Sequence, residues 1–516
     1  MKKLIKSLQW LDENLLKIFL TLFIFLMPLY PKLPLKNVNY TYIAIRVDDL
    51  IVAAFVIVFF IQFLRRKVTL WTKYLPLFIL FWLSVFLSFW YGMYVQKTIE
   101  IANVGMLNAL RRVEYMVVFF IAASIPKSKK DFYYYLKTIF IVLALVCVYG
   151  IGQKFLGWPA VQTMNPEYAK GYLLYLDAYA RISSTFAGHY DLAAYLVLLI
   201  PVTLSMFIAK NQKKYLVLFT LALLTIILSA SRVSYGAYII STVAFLLYQK
   251  KFRLLIFVLI LTAVLTPLSA NLTKRISRTF TYQKIYVDPL TNKIFVPKDM
   301  RPDDLPPGDY IFGKVGNVSS SKTASSAQAK DKSIDAVKAK EQIRESIIKE
   351  ADLSGKNLTG LEIDAKVEKQ FRSLIPLDKF TTDISVSTRL QVEWPRAFSA
   401  FMRNPILGKG PSSITESTDN DYLRWLGETG ALGAGLFMLI NGMIILNVWK
   451  RSRKAASDEK TILLGFVFGM LGILINATYI DVFEASKVAY TIWLMSGLYI
   501  ATEKILPVMK SYSKTA

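Results

Sequence analysis

Apolar runs that are long enough to cross a lipid bilayer recur along almost the whole of this 516-residue chain. An α-helix needs about 20 residues to span a hydrocarbon core of about 30 Å. Backbone amides in lipid must form hydrogen bonds within their own segment, and the runs lack the alternation of barrel strands, so they predict helices. The apolar content of 54% excludes an ordinary soluble protein of this length. The sequence therefore predicts an all-α polytopic membrane protein.

We predict about twelve transmembrane helices from these runs. Their approximate bounds are 15–31, 49–64, 71–92, 113–126, 133–155, 190–209, 214–230, 233–249, 254–270, 430–449, 461–479 and 487–505. Clusters of Lys and Arg occupy every second connection, which is the positive-inside pattern and predicts that both termini are cytoplasmic. The first run is too long and too poor in small residues for a cleavable signal peptide, so we interpret it as a retained span.

Charge and residue counts exclude several classes of function. The formal net charge is +26, but the basic residues are spread among the connections instead of forming one surface for nucleic acid. The single cysteine, Cys147, permits no intramolecular disulfide, and the single histidine, His189, argues against zinc or haem. We find no ATP-binding or dinucleotide-binding motif. A carboxylate site for magnesium is not excluded by these counts, but no dense acidic cluster indicates one. We therefore expect no metal and no cofactor, and chemistry driven by an activated substrate or an ion gradient.

The predicted spans divide the chain into three parts. Residues 1–270 hold helices 1–9, residues 271–428 form a large extracytoplasmic loop of mixed α/β content, and residues 429–516 hold helices 10–12 and a cytoplasmic tail. The connection between the ninth and tenth spans is about 160 residues, far more than a connector requires, so it contains a domain.

Within the loop, residues 284–296 predict a β-hairpin and residues 314–332 predict disorder. Residues 385–402 predict an amphipathic helix with Trp394, Phe398 and Phe401 on one face. Outside the loop, residues 94–112 predict a second amphipathic helix on the membrane surface.

Charged residues gather at the outer ends of the predicted spans. Arg181 precedes the sixth span, which begins with His189 and Asp191, and Arg232 lies in the turn before the eighth. Two permanently charged guanidinium groups at neighbouring helix ends suit a diphosphate. Arginines at such positions also reach toward lipid headgroups, so both interpretations stay open from these residues alone.

A second polar cluster lies at the C-terminal end of the large loop. It contains Arg389 and Arg396, then Gly408 and Gly410, and then residues 419–430. The two glycines permit tight turns. Asn420 and Glu428 are predicted on nearby faces of the helix that becomes the tenth span, and a capped, solvated helix start is the simpler interpretation.

Residues 389–433 resemble the signature region of the O-antigen ligase and Wzy-type O-antigen polymerase family. The resemblance rests on Trp394, Asn404-Pro405, Leu407 to Gly410, Asn420, Leu423, Glu428 to Gly430, and two further patches in the expected order, Ser184 to Leu196 and Ser231-Arg232. It implies a GT-C-like membrane glycosyltransferase that uses a glycan linked to a polyprenyl diphosphate, such as undecaprenyl diphosphate, on the outer face of a bacterial inner or plasma membrane. Residues 280–380 match no family that we recognise.

The resemblance also implies roles for individual residues. An acceptor hydroxyl would attack the anomeric carbon, and Arg181 and Arg232 would hold the departing lipid diphosphate. Arg389 and Arg396 would close over the same group. Asp419 stands where ligases of the family commonly carry a histidine, and would accept the acceptor's proton. His189 would act as an orienting group or as a packed polar residue. The remaining predicted substrate-binding residues are Asn420, Tyr422 and Glu428.

The aspartate at position 419 favours a polymerase of surface polysaccharide repeat units, such as O-antigen, capsule or exopolysaccharide. A ligase that transfers glycan to lipid or protein is the alternative within the enzyme class. A lipid-linked oligosaccharide transporter or flippase is the alternative from another class, but it requires polar residues at the bilayer midplane. A third alternative is a structural or regulatory protein whose loop binds cell-wall polymer. The expected partners are lipid-linked oligosaccharide, a glycan acceptor and membrane lipid, with a chain-length regulator or flippase on the family's pattern, and no nucleic acid.

Overall fold

The computed structural model describes most of the chain in two compact units. The described residues are 2–37, 44–68, 70, 73–163, 173–177, 180–277, 280–287, 294–295, 340–341, 343–351, 359–373, 375–382, 389–414 and 418–506. Unit 1 comprises residues 1–275 and 393–516, and unit 2 comprises residues 276–392.

Unit 1 is a bundle of helices. They are α1 (Lys2–Leu29), α2 (Val47–Leu64), α3 (Leu75–Trp90), α4 (Ala102–Ser124), α5 (Lys129–Phe155), α6 (His189–Lys210), α7 (Lys213–Ser229), α8 (Arg232–Tyr248), α9 (Phe252–Leu265), α10 (Ala270–Ser277, of which the last residues belong to unit 2), α12 (Trp394–Arg403), α13 (Asp421–Ser452), α14 (Ser457–Asn476) and α15 (Ser486–Ile505). Each of the twelve predicted spans overlaps one of these helices.

Five helices among the described residues are long and apolar enough to cross a membrane. They are Val47–Leu64, Leu75–Val95, Lys129–Phe155, His189–Lys210 and Asp421–Ser452, and a pair bent by 102°, Phe252–Leu268 with Ala270–Ile276, would make a sixth. The chain thus has the architecture of a helical, multi-pass membrane protein, whereas the number twelve stays a prediction.

Residues 94–112 do not form a separate surface helix, so that prediction is wrong. A π-helical turn at Tyr91–Val95 extends α3, and a single helix then runs from Ala102 to Ser124, which joins the predicted surface helix to the predicted fourth span. The reason lies in Arg112, which is only 3% exposed and pairs with acidic side chains inside the bundle. A helix that buries an ion pair can enter the bundle despite its modest hydropathy.

Two short hairpins and one turn complete unit 1 near the ends of its helices. Strand β1 (Pro34–Asn37) pairs with β2 (Ala44–Arg46), and β3 (Ala160–Val161) pairs with β4 (Leu173–Leu174). The predicted turn between the seventh and eighth spans is confirmed, because Ala230 ends α7 in the left-handed conformation and Ser231 precedes α8.

Unit 2 contains a three-stranded antiparallel sheet in the order β6 (Ile294–Phe295), β5 (Phe280–Val287), β7 (Ile375–Thr382). The pairing of β5 with β6 confirms the predicted hairpin. Strand β7 pairs along the whole of β5 and was not predicted, because its Pro376 and charged residues hide the alternation of a strand.

The rest of the described part of unit 2 is helical. Residues 343–351 form a helix that packs on α11 (Gly360–Ser373) through Ile343, Ile347 and Val367. The predicted disorder at 314–332 lies outside the described residues, as does the predicted helix start at 385. The described helix there is α12, preceded by a π-helical turn at Arg389–Glu393.

Candidate functional site

Three arginines and the single histidine come together at one end of the bundle. The Nη1 atom of Arg181 lies 2.6 Å from Nε2 of His189, and Nη1 of Arg232 donates to the carbonyl of Arg275 at 3.1 Å. Burial, and next the positive charge of Arg275, lowers the pKa of Arg181, and Arg232 acts in the same direction. We call Arg181, His189, Arg232 and Arg275 the arginine cluster.

Arg275 was missed by the sequence analysis. It follows Lys274 directly after the predicted ninth span, where a basic pair is typical of a membrane interface. Only the bend between α9 and α10 brings it to the starts of α6 and α8, and the sequence carries no clear signal for a bend of that size.

A buried loop fixes the position of Arg181 relative to His189. Ser183 and Ser184 both donate backbone N–H groups to the side-chain oxygen of Gln153 on α5, at 3.3 and 2.8 Å. The Nζ atom of Lys487 on α15 donates to the carbonyls of Thr185, Pro28 and Tyr30 at 2.6–3.0 Å. These side chains hold the loop to three helices, because buried carbonyl and amide groups require partners.

An apolar cavity of about 410 Å³ adjoins this loop. Its walls come from the ends of α1 and α5 and from the β3–β4 hairpin, and include Leu33, Val148 and Trp158. Ser184 and Thr185, from the loop that joins Arg181 to His189, also line it. The short segment from Arg181 to His189 thus carries a permanently charged guanidinium group and also forms part of the wall of an apolar cavity.

The glycine-rich part of the signature region runs beside a break in α13. Gly430 has φ 65° and ψ −171°, so the helix is interrupted there. The N–H groups of Lys409 and Gly410 donate to the carbonyls of Gly427 and Glu428, both at 2.9 Å. The N–H of Ala431 donates to the carbonyl of Pro405 at 2.7 Å. The loop therefore satisfies the backbone groups that the break exposes, as buried backbone groups require.

Asp481 holds the segment that carries Asp419. Its carboxylate accepts the N–H groups of Thr418, Asp419 and Asn420 at 3.0–3.1 Å, and Arg424 pairs with it at 3.4 Å. Asp419 has a φ of 49°, a left-handed conformation that side chains other than glycine adopt rarely. The three successive N–H groups form a small concave anion site around Asp481, and this fixes the backbone of Asp419.

Asp421 makes the reciprocal contact. Its carboxylate accepts the N–H groups of Val482 and Phe483 at 2.7 and 3.2 Å. The start of α13 and the loop after α14 are therefore held together by hydrogen bonds to a carboxylate from each segment. Neither Asp421 nor Asp481 was selected in the sequence analysis, since a carboxylate near a helix start is ordinary in sequence.

Asn420 and Tyr422 have structural partners at the same place. The Asn420 side chain accepts the N–H of Leu423 and caps α13, so the predicted cap is confirmed, and it donates to the carbonyl of Thr478 at 2.9 Å. The predicted solvation of this helix start is wrong, because Asn420 and Glu428 are buried among neighbouring elements. The Tyr422 hydroxyl donates to the carbonyl of Leu474 at 2.7 Å. The substrate-binding roles of both residues stay predictions.

Glu428 is part of a buried ion pair. Its carboxylate pairs with Arg112 of α4, and both side chains are 3% exposed. Arg112 also pairs with Glu484 at 3.3 Å and lies 4.1 Å from the ring centroid of Trp425. This environment gives Glu428 a structural partner, and its predicted contact with substrate stays a prediction.

The predicted loop arginines lie in different units. Arg396 is exposed on α12 in unit 1, whereas Arg389 belongs to unit 2. The closure of Arg389 and Arg396 over a diphosphate stays a prediction.

The segment that carries Arg232 and the segment that carries Asp419 both contact α14. Ser234 near the start of α8 donates to the Asn476 side chain at 3.2 Å, and the N–H of Asp421 donates to the adjacent Ala477 carbonyl at 3.0 Å. The segment with Arg232 and the segment with Asp419 therefore both contact the C-terminal end of α14.

Within the described residues, no group of three or more His, Cys, Asp or Glu is placed to bind a metal ion.

A comparison with known families agrees with the resemblance seen in the signature residues. Residues 216–438 match the family model described as O-antigen ligase, Wzy_C. The match spans Arg232, Arg275, Asp419 and Glu428 and begins after Arg181 and His189. No curated protein matches the chain. The family supports a membrane glycan-transfer function, by polymerisation or ligation, with a lipid-linked oligosaccharide and a glycan acceptor as substrates. The chain therefore carries, over residues 216–438, a domain of the O-antigen ligase and Wzy-type family.

Proposed function

We propose that this chain is a membrane glycosyltransferase that polymerises surface polysaccharide repeat units from a polyprenyl-diphosphate carrier. The observation that carries the proposal is the arginine cluster beside an apolar cavity. A diphosphate is best held by permanent positive charge and planar donor groups, and a prenyl chain by an apolar groove. The combination suits an anionic lipid whose headgroup and chain bind at adjacent places.

The reaction we propose is a displacement at the anomeric carbon. The acceptor's hydroxyl oxygen forms the new glycosidic bond while the bond to the diphosphate breaks, and the diphosphate leaves with the bonding electron pair. Arg181, Arg232 and Arg275 stabilise the charge that develops on the leaving oxygens. Asp419 accepts the acceptor's proton, and the Asp481 contacts keep its backbone in place.

The topology we propose follows the charge pattern of the sequence. The arginine cluster and unit 2 lie on the outer face of a bacterial inner or plasma membrane, and both termini lie in the cytoplasm. No metal ion takes part in the proposed reaction, because the arginines supply the positive charge.

Ligation is the second candidate, and the description of the matching family favours it. The same donor and the same displacement apply, but the acceptor is a lipid or a protein instead of a growing glycan. The two candidates therefore differ in their products and not in the roles of the arginines.

The test is a membrane assay with lipid-linked oligosaccharide as donor. We compare the wild type with Arg232→Ala and Arg275→Ala at matched expression, and use Arg253→Ala as the control because Arg253 is exposed at the far end of α9. Loss of one donor to a developing charge typically lowers the rate by about 10²–10³. Full product from both cluster variants would overturn the assignment.

The product distinguishes the two candidates. A ladder of glycan lengths supports polymerisation, whereas one added glycan on a lipid or protein supports ligation. Asp419→Asn keeps the size of the side chain and removes its basicity, so we expect it to lower the rate without loss of the protein from the membrane. Wild-type turnover by this variant would exclude Asp419 as the base.

A further inference from the structure

A second groove lies between α5 and α7, where both helices begin. Its volume is about 360 Å³, and Lys137 and Lys214 line it together with apolar side chains. The apolar lining residues are Phe140, Ile141, Ala144, Tyr215, Val217, Leu218 and Leu221. Helix α7 spans 17 residues, so the end of the groove at Lys214 lies roughly 25 Å along the helix axis from the turn before Arg232.

Lys137 lies on a face of α5 that points away from the bundle. Tyr134, Ile141, Leu145 and Val148 share this face at helical spacing and are 41–54% exposed. Lys137 follows Lys129 by roughly 12 Å along the helix axis, at 1.5 Å per residue. A cation at this depth in an apolar helix is costly unless it reaches the headgroup region or has an anionic partner.

Neighbouring lysines at the same end of the bundle have carboxylate partners. Lys129 pairs with Glu459, and Lys210 pairs with Asp458 at 3.0 Å. Across the described ranges, no carboxylate forms an ion pair with Lys137 or Lys214. Lys214 instead lies 5.2 Å from the ring centroid of Tyr215, which itself lines the groove.

We propose that this groove is a binding site for one anionic phospholipid of the adjacent leaflet. The headgroup phosphate binds between Lys137 and Lys214, and the acyl chains lie along the apolar walls of α5 and α7. Basic pockets between transmembrane helices recognise acidic lipid headgroups in this way. The apolar walls select a lipid over free phosphate, and the two cations select an anionic headgroup over a zwitterionic one.

The experiment measures the lipid that the full chain retains. The purified protein is taken from nanodiscs of phosphatidylglycerol and phosphatidylcholine and analysed by native mass spectrometry. The variant is Lys137→Gln/Lys214→Gln, and the control is Lys213→Gln/Lys251→Gln, which removes the same charge from exposed lysines that do not line the groove. A lysine near an anionic headgroup contributes about 1 kcal/mol, which is a factor of about five in lipid affinity. For the loss of both lysines we therefore expect about 30-fold weaker retention of one phosphatidylglycerol, and no such change in the control.

A second variant separates the groove from its charge. Ala144→Trp places a ring in the groove and keeps both lysines, so we expect it also to lose the retained lipid. Equal loss in the control variant, equal retention of phosphatidylcholine, or complete displacement by inorganic phosphate would each overturn the proposal. A melting temperature within about 2 °C of the wild type shows that each variant is folded.

Discussion

Replacing Arg112 by methionine tests whether the buried ion pair with Glu428 stabilises the bundle. Arg112 joins α4 to α13 through Glu428 and to the loop after α14 through Glu484. Without the guanidinium, two carboxylates stay in a site where their side chains are 3% and 14% exposed. An unpaired buried charge is strongly unfavourable, so the substitution lowers the free energy of unfolding.

The expected cost can be estimated from these contacts. Removing one partner of a buried pair costs about 3–5 kcal/mol. Glu428→Gln leaves Arg112 with Glu484 and keeps an oxygen as acceptor, so its cost is smaller, about 1–3 kcal/mol. A change of 1 kcal/mol shifts the melting temperature of a domain of 150–250 residues by about 2–4 °C. For Arg112→Met we therefore expect a decrease of about 6–20 °C.

The assay is thermal unfolding of the purified full chain in detergent at a fixed scan rate, because unfolding of such proteins is often irreversible. Lys210→Met is the matched control, because it breaks the ion pair between Lys210 and Asp458, whose side chains are 34% and 49% exposed. Exposed pairs contribute about 0–1 kcal/mol. An Arg112→Met protein that melts within about 2 °C of the wild type would refute the structural role. Loss of activity in Glu428→Gln without loss of stability would support the prediction that Glu428 binds substrate.

Three further predictions concern single side chains. Asp481→Asn should lower both transfer rate and melting temperature, because an amide group satisfies three N–H donors less well than a carboxylate; unchanged kinetics would contradict this. Lys487→Met should lower the yield of folded protein, measured by size-exclusion chromatography, because the carbonyls of Pro28, Tyr30 and Thr185 lose their donor, at about 1–3 kcal/mol for each buried carbonyl. Burial lowers the pKa of Lys32 from 10.5 to about 8, and the positive charge of Arg46 acts in the same direction. Between pH 8 and pH 10.5 the unfolded chain therefore binds more protons at Lys32 than the folded chain does, so the free energy of unfolding rises with pH in this range. Melting at pH 8 and 9.5 should show this rise in the wild type and a smaller rise in Lys32→Met.

The helices were predictable because their signal is local. A run of about 20 apolar residues is a property of one segment, and the twelve predicted segments each overlap a helix. Arg181, His189 and Arg232 were predictable as a group for a related reason, since each lies at the start of a helix or next to one. These three residues come together because the segments that carry them lie at the same end of the bundle.

The polar partners were not predictable, because they depend on positions far apart in the chain. Arg112 pairs with a residue 316 positions away, and nothing in the sequence around it distinguishes it from the neighbouring Arg111. Strand β7 pairs with β5 across almost a hundred residues. Arg275 and Asp481 have the same difficulty, since their roles arise from a bend between helices and from a contact between two loops.

The break in α13 links the family signature to the architecture of the site. A Cβ at Gly430 would meet the Ile406 carbonyl, and one at Gly408 would meet the backbone of Glu428, so both glycines permit a close approach that another residue would block. The approach brings the loop at 405–410 against α13, and the side chain of Glu428, two residues before Gly430, pairs with Arg112. Residues of the signature therefore build a rigid crossing of loop and helix. The chemistry that we propose depends on Asp419, which lies just before α13, and on Arg232 at the start of α8. The segments that carry these two residues both contact the C-terminal end of α14.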